Sequence, residues 1–241
     1  MNEARLVRNA AQRTLDGVEA AEVVGSGCAW FLVVGLPVSV GFLVALVWPW
    51  VGGAIGLLAL LGAFGLHRLA SVRTARARPL LEGMAQVHYP SLSLPVRIPR
   101  GEREKDGIRR VWRVLGVRRP NGRQVTGEVV VQHDMGGAWF VVWPVSRPRP
   151  AETRTLDMVL EPVLGGYLVS SPDPVATAEH LRDPLVRELL FELLGDHDEL
   201  SIYPFIGWWR TRAAVDQGAM RGAEVRLTQL AQVLRGRTSP R

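Results

Sequence analysis

The residue types that could do acid–base or metal chemistry lie in three short clusters. Asp196-His197-Asp198-Glu199 places four potential metal ligands in a row. Consecutive side chains point in different directions and no second histidine motif accompanies the run, so it is typical of a solvated helix-to-strand turn. His133-Asp134 begins a turn and His88 precedes Pro90. Each histidine could act as a base only if the fold brings an acid and a nucleophile to it.

Sequence motifs of the common enzyme classes do not occur in the chain. We find no Gly-x-Ser-x-Gly elbow, no phosphate-binding glycine-rich loop, no HExxH and no dinucleotide fingerprint. The single cysteine, Cys28, lies in an apolar stretch and allows neither a disulfide within the chain nor a cysteine-based metal site. The sequence therefore predicts no catalytic activity, no cofactor and no metal.

An arginine-rich stretch at residues 97–123 is the main candidate for binding. Its basic residues outnumber its acids, and it follows the apolar segment closely enough to face an anionic membrane leaflet. The alternatives are an acidic protein partner, a solvated surface and nucleic acid. Nucleic acid is disfavoured because Trp112 is the only aromatic residue inside the stretch. The candidate lipid or acidic-partner contacts are Arg109, Arg110, Arg113, Arg118 and Arg119.

The apolar segment that must position these residues carries no charge between Glu22 and Arg68. It is about twice as long as the ~30 Å hydrocarbon core allows for one helix, and Trp48-Pro49-Trp50 divides it. We predict a transmembrane hairpin over residues 28–67, with spans at 28–47 and 51–66. Pro37 should kink the first span, with Ser39 helping to satisfy a freed carbonyl.

Small residues recur along one face of the second span. Their spacing of three and four residues allows close approach of another helix. That helix is the first span of the same hairpin or, alternatively, a second copy of the chain. The predicted helix-packing face consists of Gly52, Gly56, Ala59 and Ala63.

The distribution of arginine predicts the orientation of the hairpin. Basic residues flank both of its outer ends, whereas the connecting turn is uncharged. Positive charge stays on the cytoplasmic side, so both termini are expected in the cytoplasm. Lys105 is the single lysine of a chain with net charge +6, a usage that favours a GC-rich bacterial genome. We therefore expect the inner membrane of a bacterium. The basic flanking residues are Arg5, Arg8, Arg13, Arg68, Arg73, Arg76 and Arg78.

Four regions follow from these patterns: an N-terminal cytoplasmic arm (1–27), the hairpin (28–67), a helical connector (68–86) and a soluble domain (87–241). Strands followed by helices without a βαβ repeat predict an α+β fold with a mainly antiparallel sheet and C-terminal helices. A β-hairpin is predicted from 125–133 and 138–145 around the turn Asp134-Met135-Gly136-Gly137. Further strands are predicted at 89–98, 109–117, 155–163, 167–170, 200–205 and 208–215, and helices at 174–182, 184–194 and 222–235. Asp173-Pro174 and Asp183-Pro184 each place a capping acid before a proline at the start of a helix. The helix at 184–194 is expected to bury Leu185, Leu189, Leu190 and Leu193.

Tryptophans are unusually concentrated in the predicted strands of this domain. Trp139 and Trp143 lie four residues apart, and Trp208 and Trp209 are adjacent. Aromatic residues dominate strand cores, so packing in the core is the simpler interpretation. An exposed aromatic surface for a partner or for the membrane is the alternative.

The run from Tyr167 through Asp173-Pro174, with the leucines at 181, 185, 189 and 193 and the strand at Leu200, resembles bacterial membrane-anchored families of unknown function. Those families also place a two-helix hairpin before the domain. The resemblance covers about 40 residues plus the architecture and implies a cytoplasmic domain without implying a reaction. The arginine-rich insert at 97–123 departs from it.

Three classes of function remain compatible with the sequence. A membrane-tethered interaction or scaffold module is favoured by the anchor, the basic stretch and the missing catalytic motifs. The alternatives are an accessory subunit of a larger membrane complex and a tethered enzyme with a site assembled from scattered residues.

Overall fold

The computed structural model describes residues 24–91, 97–119, 122–150, 153, 156–158, 165–195 and 198–238. Two compact units share these residues. One contains the long apolar helices as far as Pro79 together with His88–Pro99, and the other contains Leu80–Val87 and the chain from Arg100 onward. The second unit is an α+β domain, as predicted.

Two long apolar helices form the first unit. Helix α1 spans Val24–Ala45 and helix α2 spans Pro49–Ala77, so α2 passes without a break from the predicted span into the predicted connector. Both are long and apolar enough to cross a membrane, and only 6% and 11% of their most apolar windows are buried. The core helix of a soluble protein would be mostly buried, so this exposure favours association with a membrane.

A π-helical turn at Phe31–Gly35 interrupts α1 just before Pro37. The amide of Leu36 donates to the carbonyl of Phe31, five residues back. Pro37 has no N–H for the carbonyl one turn earlier, and the wider turn relieves the clash of its ring. Ser39 Oγ donates to the Gly35 carbonyl at 2.9 Å, the type of compensation that the sequence suggested.

The two helices pack on each other through glycines. A Cβ on Gly52 would overlap the side chain of Ala45 and lie 2.7 Å from the Gly41 carbonyl. A Cβ on Gly62 would lie 2.5 Å from a methyl of Val33. Within the predicted packing face, Gly52 and Ala59 are buried, Ala63 is half-buried and a Cβ on Gly56 would meet nothing within 4 Å. Contact within the hairpin therefore accounts for the buried part of this face.

The domain is built on a nine-stranded sheet. Its order is β1-β2-β3-β4-β9-β8-β5-β7-β6. In this order, every pair of neighbouring strands from β2 onward is antiparallel. The strands are β1 Gln86–His88, β2 Arg100–Lys105, β3 Ile108–Arg119, β4 Gly122–Gln132, β5 Phe140–Pro144, β6 Asp157–Met158, β7 Tyr167–Ser171, β8 Asp198–Tyr203 and β9 Ile206–Thr211.

The predicted hairpin between 125–133 and 138–145 is wrong. Strand β4 pairs with β3 and β9, while β5 pairs with β7 and β8. The connecting turn bonds to the β8–β9 turn: the His133 amide donates to the Phe205 carbonyl at 3.1 Å, and the Met135 amide to the Pro204 carbonyl at 2.8 Å. The β8–β9 hairpin thus occupies the place between β4 and β5.

Three helices complete the domain: α3 Pro174–Arg182, α4 Pro184–Leu193 and α5 Gln217–Thr238. The predicted caps are present, because Asp173 Oδ1 accepts from the Ala176 amide at 3.0 Å and Asp183 Oδ1 from the Leu185 amide at 2.6 Å. Leu185, predicted to be buried, is 58% exposed. Leu190 and Leu193 are buried as predicted, together with Val186.

The core lies between the sheet and α5, which packs on β4, β9 and α4. A Cβ on Gly127 of β4 would overlap Met220 Sδ, so glycine lets the helix lie close to the strand. Trp143 is 1% and Trp209 is 5% exposed, so both are buried as the core interpretation predicts, although only Trp209 lies on the face toward α5. Trp139 lies outside β5 and is 42% exposed. The tryptophans are therefore divided between core and surface.

Candidate functional site

The arginines of β2 and β3 converge on one buried carboxylate. Glu224 of α5 is 3% exposed. Its Oε1 accepts from Arg103 at 2.5 Å and lies 3.1 Å from Arg110 Nε, while its Oε2 accepts from Trp112 Nε1 at 2.8 Å. Two cations and an indole thus satisfy both oxygens of a group that could not otherwise be buried in charged form.

A second set of charges forms a row across the opposite face of the sheet. The cross-strand partners are Arg100–Arg113, Arg113–Glu128, Glu128–Arg210 and Arg210–Glu199. Glu128 Oε1 lies 2.7 Å from Arg210 Nε, and Glu128 Oε2 lies 3.6 Å from Arg113 NH1. Opposite charges in register stabilise neighbouring strands, so the pairs from Arg113 to Glu199 favour the alignment of β3, β4, β9 and β8. Arg100 faces a like charge and does not extend this effect to β2.

These ion pairs limit how far the predicted contact arginines are exposed. Arg110 and Arg113 are 9% and 5% exposed. Contact with lipid or an acidic partner requires an accessible guanidinium, so these two residues do not fit that role. Arg109 is partly exposed and donates to Glu102 Oε2 at 2.6 Å. Arg118 and Arg119 lie in β3, but their side chains fall outside the described part of the structure. The expectation of a basic contact surface therefore rests on these last two.

Two indoles lie on the same face as the charged row. Val141 pairs with Ser201, which pairs with Trp208, and Trp143 shares the face of Val141 because side chains alternate along a strand. Neither Trp143 Nε1 nor Trp208 Nε1 has a hydrogen-bond partner among the described residues. The guanidiniums of Arg113 and Arg210 lie 5.7 and 4.8 Å from the Trp208 ring. The ring of Trp208 therefore contacts two guanidinium groups, while its N–H has no acceptor among the described residues.

Two of the acid–base candidates have shifted pKa values. Burial lowers the pKa of His133, and the nearby Arg235 and Arg110 guanidiniums lower it further against the opposing effect of Asp134. Burial raises the pKa of Asp198, although hydrogen bonds from Thr211 and the Gly195 amide oppose this. Across the described ranges, no cluster of three His, Cys, Asp or Glu side chains could hold a metal ion.

The two described residues of the run Asp196-His197-Asp198-Glu199 lie on opposite faces of β8. Asp198 pairs with Thr211, and Glu199 pairs with Arg210 on the other face. Asp198 Oδ2 accepts from the Gly195 amide at 2.9 Å and closes the turn before the strand. Residues 196 and 197 fall outside the described ranges. Within the described part, the two acids serve a turn and an ion pair.

The exposed surface of the helix layer contains a groove with apolar and acidic residues. We call it the helix groove: it lies between α4 and α5 and has a volume of about 600 Å³. Its apolar residues are Leu185, Leu189 and Val233, and its polar residues are Glu188, Glu192, Gln229 and Gln232. Sequence reasoning missed it because the leucines of α4 were assigned to the core. The acids Glu188 and Glu192, spaced among these leucines, could have indicated that this side of α4 is exposed.

An adjoining groove of about 550 Å³ follows the other side of α4. Phe191, 46% exposed, lines it together with Pro184, Arg187, Glu188 and Glu192. Glu188 and Glu192 therefore border both grooves. Glu192 Oε2 accepts from Arg226 at 2.6 Å, so one of the two acids is already paired.

No family model and no curated protein matches the chain. Among solved structures, the chain is similar to the crystal structure of the mycobacterial trehalose monomycolate transport factor A, TtfA, at 12% identity and a TM-score of 0.48. The aligned part covers 69% of this chain and 94% of that one. A likeness at this score does not bear on the function of this chain.

Proposed function

We propose that this chain is a membrane-tethered interaction module, anchored by α1 and α2 in the inner membrane of a bacterium with both termini in the cytoplasm. The observation that carries the tether is the exposure of the large apolar side chains of both helices, such as Leu60 at 69% and Phe42 at 68%. Hydrocarbon is the environment in which such surfaces are stable. Four arginines in residues 68–78 and the uncharged turn at Trp48 support the orientation.

The helix groove is the surface that supports an interaction role. It places three aliphatic side chains between two carboxylates and two amides, with no Lys or Arg among its lining residues. An apolar floor with an acidic rim matches an amphipathic helix whose polar face is basic. We assign the groove to such a segment of a partner protein. The charge of this surface is opposite to that expected from the arginine-rich stretch.

Site-specific photo-crosslinking in cells tests this proposal. A photoreactive amino acid at Leu185 of the full chain should form an adduct, and sequencing of the crosslinked peptide should identify a basic amphipathic segment. The control position is Val175, which is 73% exposed on α3 but lies outside the groove. Equal adducts at 175 and 185, or a crosslinked peptide without basic residues, would refute the assignment.

A charge variant provides the second arm of the test. Glu188→Gln should reduce the adduct at Leu185 because it removes the rim carboxylate that does not pair with Arg226. Glu179→Gln removes the same charge from an exposed position of α3 and should leave the adduct unchanged. If adducts form instead at Leu60 of α2 and not at Leu185, the partner binds the spans, and the role is that of an accessory subunit of a membrane complex.

A further inference from the structure

A second groove lies in the unit of the long helices, where α2 leaves its apolar segment. The helix residues that line it include His67, Ser71, Thr74 and Arg78, at intervals of three and four residues along one face. Pro90 and Ser91 close the other side, and the volume is about 310 Å³. We call this the juxtamembrane groove.

The chemistry of the juxtamembrane groove is that of an anion site. Its lining includes a guanidinium, an imidazole and hydroxyl groups but no carboxylate. Ser71 Oγ already donates to the His67 carbonyl at 2.9 Å, which leaves Arg78 and the Thr74 hydroxyl as donors for a ligand. Within the described residues no acid forms an ion pair with Arg78. A guanidinium of this kind binds phosphate through two parallel hydrogen bonds.

The position of the groove selects the source of the phosphate. His67 follows Leu66, the last residue of the uncharged segment, so the groove begins where the hydrocarbon core ends. Side chains on a helix lean toward its N-terminus, and the N-terminal part of α2 is the apolar part. At 1.5 Å per residue the Cα of Arg78 lies about 18 Å beyond Leu66, and this lean directs its guanidinium back toward Thr74 and the headgroup layer. Thr74 lies in the last turn of α2 and Arg78 is its C-cap, so the partial negative charge of the helix end opposes an anion here and the guanidinium charge must outweigh it.

We propose that the juxtamembrane groove binds the phosphate of an anionic membrane lipid, with Arg78 as the bidentate donor and Thr74 as a second donor. This inference depends on the proposed membrane tether but not on the helix groove or its partner. It differs from general attraction of arginines to an anionic leaflet, because it requires a particular arginine. Arg76, on the same helix turn but outside the groove lining, provides the comparison.

The test uses the full chain in nanodiscs of phosphatidylcholine and phosphatidylglycerol in equal parts, with native mass spectrometry of the lipids retained after release. We expect phosphatidylglycerol to be retained by the wild-type chain. Arg78→Lys keeps the charge but loses the paired hydrogen bonds, and should lower retention about tenfold. Arg76→Lys should retain as much as wild type, and Thr74→Val should show an intermediate loss.

The outcomes separate the sources of the signal. Equal loss in Arg78→Lys and Arg76→Lys, or equal retention of both lipids by wild type, would overturn the proposal in favour of a diffuse charge effect. Release of the retained lipid by inorganic phosphate at physiological concentration would show a site for free phosphate and also overturn it. A chain that fails to incorporate into nanodiscs would contradict the proposed tether itself, which is a distinguishable result.

Discussion

Glu224 joins the last helix of the domain to two early strands. It contacts Arg103, Arg110 and Trp112, and the bonded partners lie 121 and 112 positions away in the sequence. A buried ion pair contributes little net stability compared with apolar residues of the same volume, but removal of one partner leaves an uncompensated charge. This residue therefore determines where α5 lies on the sheet.

Glu224→Gln should destabilise the domain by about 3–5 kcal/mol, because it leaves the Arg110 guanidinium buried without its counter-charge. Chemical unfolding followed by tryptophan fluorescence measures the loss. Glu192→Gln is the matched control, since its pair with Arg226 is exposed and should cost less than about 1 kcal/mol. A similar decrease in the free energy of unfolding of the two variants would show that the buried contacts of Glu224 contribute no more than an exposed ion pair.

The lowered pKa of His133 predicts a pH dependence of stability. The unfolded chain, with an ordinary histidine pKa near 6.5, binds more protons than the folded chain between that value and the lower folded pKa. Stability should therefore be lost as pH falls through about 6.5. Unfolding midpoints at a series of pH values from neutral to mildly acidic should decline in the wild type and flatten in that window in His133→Gln. An unchanged slope in the variant would exclude His133 as the source.

The sequence showed where the arginines cluster along the chain, but it did not predict that several of them form buried ion pairs. Charged residues are usually solvated, and this prior placed Arg110 and Arg113 at the surface. Their acids lie in β4 and α5, and strand register determines which of them meet. Glu102 and Glu104 before the Asp106-Gly107 turn, with Arg109 and Arg110 after it, were a local signal for the β2–β3 pair that the sequence reasoning did not use.

Among the helices, Gly52 determines how closely α1 and α2 approach. Gly52→Val should separate the helices because the new side chain overlaps Ala45. Gly53→Val is the matched control, since a Cβ there meets nothing within 4 Å. Spin labels at Val24 and Arg68, with Cys28 replaced by Ser, measure the separation in nanodiscs. We expect a longer and broader distance distribution for Gly52→Val alone; the same distribution in both variants would contradict close packing at this glycine.

Elements with local signals were predicted well from sequence. Asp173-Pro174 and Asp183-Pro184 carry their capping chemistry within a few residues, and both helices begin as predicted. The β4–β5 hairpin failed because its turn residues, although suitable for a tight turn, bond to the β8–β9 turn more than 60 residues later. Non-local pairing overrode a local signal there.

At the scale of the whole molecule, the sheet unit includes residues before the predicted start of the domain at 87. Leu81 is 1% exposed, and the Glu82 carbonyl accepts from Gln217 Nε2 at 2.6 Å. A fragment of residues 79–241 should melt cooperatively, and one of residues 87–241 should be less stable by several kcal/mol, since a buried leucine contributes about 2–5 kcal/mol. Leu81→Ala in the longer fragment should give part of that loss. Equal midpoints for the two fragments in calorimetry would place residues 80–86 outside the cooperative unit.

The orientation of the hairpin predicts which residues an impermeant thiol reagent can reach. In a Cys28→Ser background, Arg8→Cys and Arg237→Cys should remain unlabelled in intact cells, because both termini are expected in the cytoplasm. Trp48→Cys, in the turn between α1 and α2, should be labelled and shows that the reagent is active. Labelling of either terminus before lysis would reverse the orientation.

The strand order has a consequence for biosynthesis. Strands β4 and β5 are complete by Pro144, yet β8 and β9, which lie between them, end only at Thr211. A chain emerging from the ribosome with its anchor already inserted therefore holds two half-sheets with open edges facing each other until the C-terminal third is made. Such edges pair readily with other chains, and closure over so long a separation is slow. A stop codon before residue 211 would thus produce a membrane-bound chain whose β4 and β5 edges stay unpaired, and not a smaller version of the domain.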